Sequence, residues 1–157
     1  MIFLLCLFMN VCDCQPDLSN IKYIWKSDPE IYVCENSNID KSKILSSLSW
    51  WNDYGFDFGN IHFNYSCDII DRGIYIFGQK KLREDESGLT KIRYYNIDNT
   101  LYMESASVFV DDEFIMSDYV IYHEIGHAFG LSHVNEPLDV MYHKPLFLNV
   151  TTDFKEE

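Results

Sequence analysis

The chain has 157 residues, 47% hydrophobic and 16% aromatic, with 12 Lys and Arg against 25 Asp and Glu for a net charge of −13. That length and ring content fit one domain with a single buried core and exclude a disordered chain, which lacks the apolar area to offset its ordering entropy. The anionic excess excludes nucleic acid and anionic membrane surfaces as partners, because phosphate contacts need clustered cations.

Met1 to Met9 is an uncharged apolar run, far short of the roughly 20 residues that span a bilayer. Its length suits the hydrophobic region of a signal peptide, with Cys12 and Cys14 as the small residues of a cleavage site before Gln15, although it has no basic n-region. An N-terminal strand or helix of the core is the alternative. On the first reading residues 1–14 are a signal peptide, and 15–157 form one secreted domain, a monomer with no stable membrane span. Cleavage removes Cys6, Cys12 and Cys14 and leaves Cys34 and Cys67. An even remainder is a candidate disulfide in an oxidising compartment, with two buried thiols as the alternative.

Ile31 to Cys34 is a β-branched and aromatic run and reads as a strand. Asp40 can cap a helix in which Ile44, Leu45, Leu48 and Trp51 recur at helical spacing, with Gly55 just past its end. Ile61 to Tyr65 and Gly73 to Gly78 read as strands, and Lys80 to Gly88 as a charged, solvated loop. Leu89 to Tyr95 and Leu101 to Val110 are extended runs joined by the turn formers Asn96 to Thr100, a predicted hairpin. Asp111, Asp112 and Glu113 follow, solvated carboxylates or a calcium site. The last predicted helix begins near Ser117 and Asp118.

Inside that helix stands His123-Glu124-Ile125-Gly126-His127. Residues at i and i+4 share a helix face, so both imidazoles can meet one metal ion. Glu124 is offset by about one hundred degrees of helical rotation, where it can take a proton from a water at the metal. Gly130 follows three residues after His127, and His133 three after that. On a straight helix a histidine six residues on would lie about 9 Å up the axis and face away. The helix must therefore stop and the chain turn, which a left-handed Gly130 allows at little cost. Three neutral imidazoles leave a fourth position open on a tetrahedral Zn²⁺, the arrangement of catalytic rather than structural zinc.

The sequence HEIGHAFGLSH resembles the extended zinc motif of the metzincin metalloproteases, which also carry a methionine-containing turn downstream. Met141, eight residues after His133 and followed by Tyr142, resembles the matrixin branch of that family in its spacing. The resemblance implies an α+β, zincin-like (metzincin) fold: a twisted five-stranded mixed sheet with one antiparallel edge strand and two or three helices. It implies that Leu89 to Tyr95 is that edge strand, that Met141 forms a floor beneath the zinc, and that Pro145-Leu146-Phe147 are candidates for a specificity-pocket wall. It also implies a minimal catalytic domain over 15–157 whose closing helix is short or missing.

The expected function is that of a zinc-dependent endopeptidase acting on peptide or protein substrates. His123, His127 and His133 would hold one Zn²⁺, and Glu124 would be the general base toward a zinc-activated water. From Tyr94 to Tyr142 there is no Lys or Arg, while nine carboxylates fall there. A negative rim favouring basic or neutral peptides would follow. Two other classes stay open. One is a catalytically weak, zinc-containing peptide-binding module. The other is a gluzincin-type zinc hydrolase with Asp139 or Glu136 as third ligand.

Overall fold

The computed structural model describes residues 15–79, 81–83, 86–111 and 113–143. The signal-peptide reading of 1–14, the Asp112 carboxylate and the Pro145-Leu146-Phe147 wall lie outside the described residues. A 3-10 turn at Leu18–Asn20 precedes strands β1 (Ile24–Trp25) and β2 (Ile31–Cys34) and helix α1 (Lys41–Asp53). Strands β3 (Ile61–Tyr65), β4 (Gly73–Gln79), β5 (Gly88–Ile97) and β6 (Thr100–Val110) follow, and then helix α2 (Asp118–Ala128).

All six strands join one sheet, in the order β1-β6-β4-β2-β3 with β5 also on β6. Because β5 pairs with β6 along 100–110, the partners at Tyr102–Met103 (β1) and Ser105–Val110 (β4) share the other side of β6 in succession. Strands β1, β2, β3, β4 and β6 run parallel, and β5 alone runs antiparallel to its neighbour. This corrects the expected α+β class. Among the described residues, the five-stranded mixed sheet with one antiparallel edge strand is replaced by a six-stranded, mostly parallel sheet with two α-helices, an α/β arrangement. The metzincin fold implied by the resemblance is not shown. The discrepancy has a physical source. Strand β1 has two residues and no period to read, and a parallel strand carries no local mark of its direction, which is set by crossovers such as the passage from β2 through α1 to β3.

Alternation along the strands builds the core. Ile31 and Val33 of β2, Ile74 and Ile76 of β4, and Ala106, Val108 and Val110 of β6 are all buried in one cluster with the helices. Tyr32 and Tyr75 lie between them in sequence, so their rings point to the other face, where they stack 4.8 Å apart. Helix α1 starts where the Asp40 carboxylate accepts from the Ser42 N–H at 2.7 Å. It buries Ile44, Leu48 and Trp51 against α2 and ends before Gly55, whose φ of +89° suits only a residue without a Cβ. Trp51 has no exposed surface, and its indole N–H donates to the Tyr122 carbonyl at 2.9 Å, which locks α1 to α2.

The β5–β6 turn places Asp98 and Asn99 at φ +48° and +63°, the primed geometry that matches the twist of a hairpin. Cys34, at the end of β2, is joined to Cys67, just past β3, by a disulfide. Among the described residues no helix is long and apolar enough to cross a membrane.

Candidate metal centre

Helix α2 begins at Ser117, whose hydroxyl accepts from the Val120 N–H, with Asp118 in the first turn beside the positive end of the helix dipole. It ends in a Schellman motif. Gly130, at φ +104°, donates to the His127 carbonyl at 2.9 Å, and Leu131 donates to Gly126 at 3.1 Å. A Cβ on Gly130 would lie 2.0 Å from the Tyr23 carbonyl oxygen, so both the conformation and the neighbouring chain demand glycine. This turn reverses the chain and carries His133 back beside His123 and His127.

The three Nε2 atoms form an equilateral triangle with 3.1 Å sides. His123 Nδ1 lies 2.7 Å from the Val140 carbonyl and His127 Nδ1 2.8 Å from the Leu131 carbonyl. A carbonyl oxygen only accepts, so each of these Nδ1 atoms carries the ring proton and each Nε2 presents a bare lone pair. Lone pairs facing one another at this distance repel unless a cation lies between them. The spacing also fits: a tetrahedral ion with bonds of about 2.0–2.1 Å sets its nitrogen ligands roughly 3.3 Å apart. The His123, His127 and His133 group can therefore hold a metal ion.

The electrostatics agree with this chemistry. Burial, and then the neighbouring His127, lowers the His123 pKa to about 3, and burial lowers that of His127 to about 4. The more exposed His133 is also lowered, by its partial burial and by His143. All three stay neutral, as metal ligands must be. Glu124 is 5% exposed, and burial raises its pKa to about 7; the Thr90 hydrogen bond lowers it and the Glu86 charge raises it further. The Thr90 hydroxyl sits 2.7 Å from the Glu124 carboxylate and 2.9 Å from its backbone carbonyl. Gly88 makes room for the carboxylate, since a Cβ there would lie 2.5 Å from Oε1.

Two depressions meet over this group, sharing Glu86, Gly88, Glu124 and His133 in their walls. Tyr119, Tyr142 and His143 are among the residues completing one, and Tyr23, Ile92 and Leu131 among those completing the other. Among the described residues, the only Lys or Arg lining either is Lys22. Met141 has no exposed surface, and a Cβ on Gly126, between the first two histidines, would lie 2.5 Å from its sulfur.

Asp139 and Glu136 do not join the triad. The Asp139 carboxylate accepts from the Asp17 and Met141 N–H groups, and Glu136 Oε1 accepts from Leu138 N–H. The Asp111 carboxylate accepts from the N–H groups of Leu82 and Glu113, one on each oxygen, and so caps the backbone there. Glu86, read from the sequence as part of a solvated loop, instead stands in the wall beside Glu124. Sequence reasoning missed Thr90, Gly88 and the carbonyls of Leu131 and Val140. A single Thr in a strand, or a backbone oxygen, leaves no mark in a motif. No family model, no curated protein and no solved structure matches the chain, so the functional reading rests on this geometry and on the motif.

Proposed function

We propose that the chain is a zinc-dependent endopeptidase, secreted into an oxidising environment. The observation that carries the reading is the triangle of three converging Nε2 atoms, those of His123 and His127 left proton-free by the carbonyls at their Nδ1 atoms, beside a buried carboxylate. The imidazole set favours zinc, and it leaves one coordination position for chemistry. Bound there, Zn²⁺ supplies Lewis acidity, lowering the pKa of a water and polarising a scissile carbonyl. The resemblance of HEIGHAFGLSH to the metzincin motif supports peptide hydrolysis in particular, with Met141 as the apolar floor of the site.

Glu124 is the proton carrier. Its carboxylate is held by Thr90, and its raised pKa places it near neutrality, where a base can both accept and return a proton. It accepts the proton as the attacking oxygen forms and delivers it to the leaving amine. His123 and His127 stay in one tautomer because Val140 and Leu131 hold their Nδ1 protons. Glu86 and Glu124 make the cleft electronegative, which favours substrates with basic or neutral side chains near the cleaved bond. The Cys34–Cys67 disulfide supports export.

The test is hydrolysis of a quenched-fluorescence peptide mixture by the purified chain, with and without a chelator, beside Glu124→Gln. Cleavage is expected from the parent, lost with chelator and regained with added zinc. Glu124→Gln should keep one equivalent of metal and lose about a hundred- to ten-thousandfold in rate, consistent with removal of a general base. Chelator-resistant cleavage, or full activity in Glu124→Gln, would contradict the assignment.

A further inference from the structure

Both carbonyls that orient the histidines belong to segments laced down by residues 17–25. Trp25 donates its indole N–H to the Ala128 carbonyl at 3.0 Å. Lys22 and Tyr23 both donate to Gly130, at 2.9 and 3.2 Å, and Ile21 bridges Leu131. Asn20 accepts from Ser132 at 3.0 Å. Residues 20–25 thus run antiparallel to 128–132, the stretch that carries the turn to His133. One link reaches farther: the Asp17 N–H donates to Asp139 Oδ2 at 2.6 Å, across 122 residues.

Asp139 is 4% exposed, and its other oxygen accepts from the Met141 N–H at 2.6 Å. Its carboxylate therefore spans the peptide units on both sides of Val140, whose carbonyl takes the His123 Nδ1 proton. No Lys or Arg pairs with it among the described residues. Its charge is met by two short backbone hydrogen bonds, an arrangement that holds a carboxylate firmly in one place.

We propose that Asp139 is a positioning residue of the metal centre. Clamped between the N–H groups of Asp17 and Met141, it fixes the Val140 carbonyl and through it the His123 ring. Residues 17–25 then act as a brace for two of the three ligands. Outer-shell groups of this kind govern metal affinity, typically by ten- to a hundredfold. The inference rests on the reading that the triad binds metal.

The test compares zinc affinity, by competition with a chromophoric chelator, in the full chain and in single variants. Asp139→Ala should weaken binding about ten- to a hundredfold. Asp139→Asn offers one acceptor oxygen where two N–H groups donate, and should fall between. A milder pair covers the case in which Asp139→Ala does not fold. Asp17 sits at φ −75°, which proline adopts without strain. Asp17→Pro deletes the N–H together with the side-chain cap on Ser19, whereas Asp17→Ala deletes the cap alone.

Asp17→Pro should bind zinc about fivefold more weakly than Asp17→Ala, the worth of one hydrogen bond. Nitrogen-15 NMR of the metal-free protein adds a readout of orientation. The parent and Ile44→Val, a core change in α1, should show His123 in the Nδ1–H tautomer, and Asp139→Asn a mixture. Parent-like zinc affinity in the Asp139 variants, or equal affinity in the two Asp17 variants, would overturn the positioning role while leaving the metal centre standing. No zinc binding by the parent would overturn both.

Discussion

Glu124 and its histidine neighbours carry opposite pH signatures, and the metal-free protein exposes them. The folded Glu124 has a pKa of about 7 against an ordinary 4.5, so below 4.5 it is neutral in both states and costs nothing. As pH rises through 7, folding must retain a charge in a buried place, and stability is lost. His123 and His127 behave in reverse. They are held near 3 and 4 against 6.5, so the unfolded chain takes up protons first and stability falls as pH drops below 6.5. Replacing Glu124 by Gln removes only the first effect. In excess chelator, Glu124→Gln should gain in urea midpoint on the parent at pH 8, and that gain should shrink as pH falls to 4.5. A gap constant across that range would show that Glu124 is not held in the environment described.

The end of α2 is the element on which the site depends. A Cβ at Gly130 meets the Tyr23 carbonyl oxygen at 2.0 Å, and φ of +104° is itself costly for any L side chain. Gly130→Ala is expected to destabilise the fold by about 2–4 kcal/mol and to weaken metal binding with it, since the turn that returns His133 must shift. Denaturant titration with and without zinc checks both; a loss of stability with unchanged zinc affinity would separate the turn from the site. That turn was legible because its logic is local: i, i+4 histidines, a glycine, and a third histidine too close in sequence to share a straight helix. The caps at Asp40 and Ser117 and the β5–β6 hairpin were legible for the same reason. Sheet order and strand direction were not. Ile24–Trp25 joins the sheet through Tyr102 and Met103, nearly eighty residues away, and nothing in a two-residue strand announces that partner. The clamp at Asp139 likewise depends on Asp17, so the residue read as spare ligand chemistry in one dimension is a backbone anchor in three.

Across the whole molecule the acidic balance acquires a location. Net charge of −13 is spread over a chain whose residues from Tyr94 to Tyr142 carry no Lys or Arg, and this same stretch supplies the triad, Glu124 and the Met141 turn. Among the described residues the mostly parallel sheet and its two α-helices form the platform; α2 carries His123 and His127, and the turn after it brings His133 beside them. On the proposed function, His123, His127 and His133 together hold one zinc ion. X-ray absorption at the zinc edge, on protein loaded with one equivalent, tests it most directly. The expected spectrum shows nearest-neighbour scattering from three imidazole nitrogens and one further light atom at about 2.0–2.1 Å, with no sulfur. Loss of one imidazole contribution should follow in His133→Ala. A sulfur shell near 2.3 Å, or an all-oxygen shell indifferent to His133→Ala, would contradict it.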